Sequence, residues 1–155
     1  MKYTERDKSY FTAIGRFVHH FSTVEASLKS GIERALDLSN GDAVRVLVHD
    51  FAMTCSITQS VMSSRSEDKA IEKQLQKLIG RARHLNDHRV RIVHGFWATG
   101  TDPNGVALYH ISRNKLEFEE FYSTSEEIER LADEAVAVFL ELEVLFDKVV
   151  PRPDA

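Results

Sequence analysis

Apolar residues recur along most of this chain at intervals of three and four, the spacing that places them on one side of an α-helix. Phe11, Ile14, Val18, Phe21, Leu28 and Ile32 predict a first helix from about Asp7 to Leu36. Val44, Leu47, Val48, Phe51, Cys55, Thr58 and Met62 predict a second, from about Ala43 to Ser63. A third carries Ile71, Leu75, Leu78, Ala82, Leu85, Ile92 and Phe96, with Gly95 placed to end it. The fourth, Ser125 to Val149, points Ile128, Leu131, Ala135, Val138, Leu142, Leu145 and Val149 inward. The connections agree with these limits. Ser39-Asn40-Gly41-Asp42 combines a glycine that stops one helix with a polar residue that caps the next. Ser66 is a candidate N-cap for the third helix, Thr124 with Glu127 matches a capping box, and Pro151 and Pro153 end the fourth.

Between the third and fourth helices the pattern changes. Phe96–Thr99, Val106–Ile111 and Lys115–Tyr122 are aromatic and β-branched, and Asp102-Pro103-Asn104-Gly105 and Ser112-Arg113-Asn114 separate them as turns. The expectation is an all-α protein: an antiparallel, up-and-down four-helix bundle with a small β-hairpin or meander at about 96–122, inserted before the last helix. No repeat, low-complexity tract or long linker divides the 155 residues, so a single domain is expected.

Composition narrows the setting. The charged N-terminus has no apolar signal-peptide core, and no run reaches the ~18 apolar residues of a membrane span. Cys55 is the only cysteine, which excludes an intrachain disulfide and fits a reducing compartment. A cytoplasmic protein without a membrane partner is expected. The net charge of −4 argues against a bulk nucleic-acid coat protein. Yet Lys69 to His94 holds seven basic residues against Glu72 and Asp87, a local +5 that leaves −9 for the rest. Such a stretch is either a solvated helix face or a local phosphate-attracting patch.

Two charges interrupt the apolar stripes. Arg89 lies in the middle of the third and Glu25 lies between Phe21 and Leu28 in the first. A guanidinium does not shed its charge on burial, so Arg89 needs a carboxylate, a phosphate or water there. Glu25 is the carboxylate available, either as a structural ion-pair partner or as the group that orients Arg89 toward a cleft. His94 follows Arg89 by five residues and sits about 140° around the helix from it. The two converge only if Gly95 unwinds the last turn or a two-fold partner supplies a second pair. Taken alone, His94 also reads as a helix C-terminal residue favoured by the dipole.

Arg89-Val90-Arg91-Ile92-Val93-His94 resembles the R-x4-6-H motif of the HEPN superfamily. The surrounding Leu85–Trp97, Phe21–Glu25 in the first helix and the strand-rich insert also look similar to small bacterial members. The resemblance implies a metal-independent endoribonuclease, often a toxin or defence protein. Such a protein works as a homodimer with Arg89 and His94 of both chains around one cleft. It also implies RNA as substrate, an antitoxin protein as a partner and no cofactor. Arg91, His88 and Arg81 would be phosphate or RNA contacts. Val90 stands where many active members carry a polar residue. Phe96 stands where one branch carries a tyrosine modified by a nucleotidyltransferase, so that modification is chemically excluded at this position.

Other constellations are thinner. His84 and His88 have the i, i+4 spacing of zinc ligands without an evident third ligand, so no metal is assigned. There is no Gly-rich phosphate loop, nucleophile elbow or HExxH sequence. Trp97, Tyr109, Phe118 and Tyr122 read as packing of the insert. Two functional alternatives stay open: a catalytically silent interaction module with a structural Glu25–Arg89 pair, and a nucleotide- or anion-binding domain using the same cleft.

Overall fold

The three-and-four spacing is realised as long helices in a computed structural model that describes residues 4–39, 42–43, 50–99, 106–112, 115–118, 122 and 124–152. Among these residues α1 spans Glu5–Leu36, α2 Phe51–Arg65, α3 Lys69–His94 and α4 Ser125–Val149. Between α3 and α4 lie β1 (Phe96–Thr99), β2 (Val106–Ser112) and β3 (Lys115–Phe118), paired antiparallel in that order. Phe96 faces Tyr109 in the first register and Tyr109 faces Phe118 in the second. Among the described residues no helix is long and apolar enough to cross a membrane. Val44, Leu47 and Val48 and the turns at 102–105 and 113–114 lie outside the described residues.

The helix ends follow local chemistry. Thr4 and Asp7 form a reciprocal capping box: the Thr4 backbone N–H donates to Asp7 at 2.7 Å, and the Asp7 N–H donates back to the Thr4 hydroxyl at 3.2 Å. This starts α1 at Glu5, ahead of the expected Asp7. Its end is a Schellman closure, with the Leu38 N–H on the Glu33 carbonyl and the Asp37 N–H toward that of Arg34. Asp37 takes the left-handed conformation there (φ 52°), so the stop precedes the Gly41 that the sequence offered. Asp50 caps α2 by accepting from the Met53 N–H at 2.7 Å. Ser66 ends α2 instead of starting α3, and its hydroxyl supports the N–H of Asp68. Asp68 is the cap of α3, accepting from the Ala70 N–H at 2.8 Å.

The chain divides into two compact units whose limits fall inside helices: Met1–Phe21 with Leu85–Ala135, and Ser22–His84 with Val136–Ala155. In the first, Tyr10, Ala13, Phe17 and Phe21 of α1, Leu85 and Ile92 of α3, and Ile128, Ala132 and Ala135 of α4 form the core. Phe11 is 53% exposed, and Ile14 and Val18 are half-buried. The α1 stripe is therefore turned by one residue from the one expected. Ser9 and Ser125 hydroxyls lie 2.6 Å apart, and Arg16 pairs with Glu129 and Asp133.

In the second unit, Val24, Leu28 and Ile32 of α1 meet Phe51, Cys55 and Met62 of α2, Leu75 and Leu78 of α3, and Leu142, Leu145 and Phe146 of α4. The Thr58 hydroxyl stays in this core by donating to the Thr54 carbonyl at 2.9 Å. Gly31 lets α1 close on Phe146; a β-carbon there would fall 2.7 Å from the ring.

Within each unit the partners on α1 and α4 ascend together. Ser9 meets Ser125 and Arg16 meets Glu129 and Asp133 in the first; Ser27 meets Glu143 and Arg34 meets Asp147 in the second. The two helices thus run parallel, whereas an up-and-down bundle opposes its first and last helices. The expectation counted four successive helices joined by short loops; the loop after α1 is indeed short, and Ser39 caps a further helical start at 42–43 ahead of α2.

Candidate active site at the end of α3

The C-terminal end of α3 belongs to the first unit and is built against an aromatic cluster. The Gly95 N–H still donates to the Arg91 carbonyl at 2.8 Å, so the helical bonding runs through the glycine. The Trp97 indole N–H donates to the Ile92 carbonyl at 2.9 Å, satisfying one of the acceptors that a helix end leaves open. The indole stacks on Tyr122 with centroids 6.0 Å apart and meets Tyr10 at 6.3 Å. Tyr10 is 4% exposed, and its hydroxyl has no hydrogen-bond partner among the described residues.

Tyr122 is the polar centre of this cluster. Its hydroxyl is 2.6 Å from His88 Nδ1. Burial pushes the phenol pKa up to about 12, opposed by the positive charge of Arg91 and reinforced by Glu127. The phenol therefore keeps its proton through the physiological range, and His88 Nδ1 is placed to accept it. At the start of α4, the Glu126 backbone N–H and the Thr124 hydroxyl hold the Glu126 carboxyl below the usual carboxylate range.

The residues of the R-x4-H segment divide by exposure. His94, the last residue of α3, is exposed. Val90 and Val93 beside it are 37% and 44% exposed, so an apolar strip accompanies the histidine. Arg89 is half-buried between buried Leu85 and Ile92, which corrects the expectation of a guanidinium deep in the core. Arg91 and His88 are half-buried and engaged with the Tyr122 cluster.

The remaining candidates lie in the second unit. Glu25 is half-buried. It shares the seven-residue series of Phe11, Ile14 and Val18, and that series flanks the core; Val24 holds the inward position instead. Arg81 is half-buried and its Nη1 lies 2.7 Å from Glu141 Oε1, so its charge is already matched. Among the described residues no group of three or more histidine, cysteine or acidic side chains gathers as a metal cage. Cys55 is buried, which pushes its thiol pKa up, against the pull of nearby Arg83.

The sequence reading missed Tyr10 as a core residue. Its signal was present in the Tyr10-Ala13-Phe17-Phe21 spacing, masked by the equally periodic Phe11-Ile14-Val18. No family model, curated protein or solved structure matches the chain.

Proposed function

We propose that the chain is a HEPN-like, metal-independent endoribonuclease whose site is completed by a second copy. The observation that carries this reading is a histidine exposed at the last residue of a 26-residue helix, five residues after a half-buried arginine. Metal-free RNA cleavage uses the ribose 2′-OH as nucleophile, with one group taking its proton and another protonating the departing 5′-oxygen. Imidazole suits both tasks near neutral pH, and two His94 side chains across a two-fold axis supply them together. Arg89 neutralises charge building on the phosphorus oxygens. Arg91 contributes positive potential beside the site. His88 is held by Tyr122, and Arg81 reaches phosphate only by leaving Glu141. In this reading the protein is cytoplasmic, and a protein antitoxin restrains it.

The test is cleavage of defined RNA by the purified chain with EDTA present. Wild type should yield 2′,3′-cyclic phosphate ends, and a deoxy substitution 5′ to the scissile phosphate should stop the reaction. His94→Ala should lose about 10²- to 10⁴-fold in rate while staying folded, because an exposed helix-end residue contributes little core. Arg89→Ala should lose about 10²-fold or more. A folded wild type inert on structured and unstructured RNA would overturn the reading in favour of a silent interaction module.

A further inference from the structure

The basic residues of this chain divide into two sets. Arg16, Arg34, Arg81 and Arg152 are each matched by carboxylates of α4. Lys69, Lys73 and Lys77, in the first half of α3 and within the second unit, are exposed and have no ion-pair or hydrogen-bond partner among the described residues. At about 100° per residue they fall within an arc of about 80°, one turn and about 6 Å apart along the axis. Exposed His84 continues the same arc, and Arg83 stands beside it with a 3.2 Å hydrogen bond to the Ser56 hydroxyl. Glu72, the acid of this stretch, lies about 100° around from Lys73. Like charges at i, i+4 repel one another, so this ladder costs α3 stability.

What the strip lacks is apolar surface. None of the exposed large hydrophobic side chains among the described residues falls between Lys69 and His84, where Gln76 and Gly80 share the exposed face. Leu75, Leu78, Ile79 and Ala82, the apolar side of this stretch, are buried in the core. A protein partner is held chiefly by buried aromatic and aliphatic anchors, and lysine is depleted from such interfaces. A membrane surface takes a helix by its apolar side, which here is spent on the core. A nucleic-acid backbone needs neither. It is a row of repeated negative charges that lysines neutralise with release of counterions. Flexible lysine stems one turn apart can each follow a different phosphate of one strand.

We infer that Lys69, Lys73 and Lys77 hold the phosphodiester backbone of an RNA strand without reading its bases, outside the residues assigned to cleavage. That the strand is RNA rests on the function proposed above; that it is a phosphodiester backbone rests on the strip alone. Fluorescence anisotropy of a labelled, unstructured RNA tests it in His94→Ala protein, which keeps the RNA intact. Between about 50 and 200 mM salt, the slope of log K against log salt should be shallower by about 2 in Lys69→Gln/Lys73→Gln/Lys77→Gln. Affinity at the lower salt should fall about tenfold or more. Circular dichroism and the urea midpoint should be undiminished, because the three side chains are exposed and repel one another. Lys8→Gln/Lys29→Gln/Lys148→Gln removes the same charge elsewhere and should leave slope and affinity nearly unchanged. Equal loss in the two triple variants, or no loss in the first, overturns the site. A poly-glutamate peptide bound as tightly as RNA overturns a nucleic acid as the occupant, and DNA of the same sequence bound more tightly overturns RNA. Wild type that binds RNA through this strip without cleaving it keeps the site and loses the ribonuclease function. Wild type that cleaves RNA, while the first triple variant binds it unchanged, does the reverse.

Discussion

At Tyr122 a single buried hydroxyl couples the fold to pH. The phenol titrates near 10 in an unfolded chain and is pushed up to about 12 in the folded one. A raised folded-state pKa gives stability that is complete below pH ~10 and lost as the pH climbs toward ~12. Urea titrations of wild type and Tyr122→Phe isolate this contribution from the other tyrosines and lysines. The substitution should be destabilising at pH 8 through loss of the bond to His88, by about 1 kcal/mol. The gap should then narrow or reverse as the pH rises past 10, because only wild type must release a buried proton. A constant gap from pH 8 to 11 would show that the phenol titrates normally. No sequence pattern carries this effect: His88 and Tyr122 are 34 residues apart and neither breaks a stripe.

Among the elements, glycine shows how one substitution changes sign with its surroundings. Replacing an exposed helical glycine by alanine relieves the backbone entropy penalty and gains about 0.5–1 kcal/mol. Gly15 and Gly80 have open space where a β-carbon would go, so Gly15→Ala and Gly80→Ala should both raise the urea midpoint. Gly31→Ala gains the same propensity but drives a methyl to within 2.7 Å of the fully buried Phe146 ring. Overpacking costs about 1–3 kcal/mol, so the net change should be destabilising and should shrink in a Phe146→Leu background. Stabilisation by Gly31→Ala would mean the ring shifts freely. The same helix shows how far periodicity reaches. It gave the extent of α1 to within two residues and buried Phe21, Leu28 and Ile32 correctly. Its N-terminal half carries two apolar series one residue apart, and only packing selects Tyr10-Ala13-Phe17 over Phe11-Ile14-Val18. Glu25 looked like a core charge because the unselected series was followed.

On the scale of the molecule, contacts between distant helices were beyond the sequence. Arg16–Glu129, Ser27–Glu143 and Arg34–Asp147 each join residues more than a hundred positions apart, and they set α1 parallel to α4. The R-x4-H segment itself was legible, and the dimer belongs to the function proposed from it. Arg89 and His94 point about 140° apart on one helix, so a single chain does not present both to one phosphate. In the proposed dimer a second copy would do so where the ends of two α3 helices meet. Val90 and Val93 give that meeting an apolar strip next to His94. Burying such side chains contributes about 25 cal/mol per Å². Val90→Glu with Val93→Glu would place four like charges across the two-fold axis while leaving each chain's core untouched. The double variant should keep its helical circular dichroism and urea midpoint, shift to monomer in light scattering at micromolar concentration, and lose RNA cleavage with the dimer. His94→Ala, by contrast, should lose cleavage and remain a dimer. If the glutamate variant stays dimeric, the strip is not the interface. If wild type is itself a monomer at these concentrations, the shared site has no partner, and the Arg89–His94 pairing across two chains must be given up.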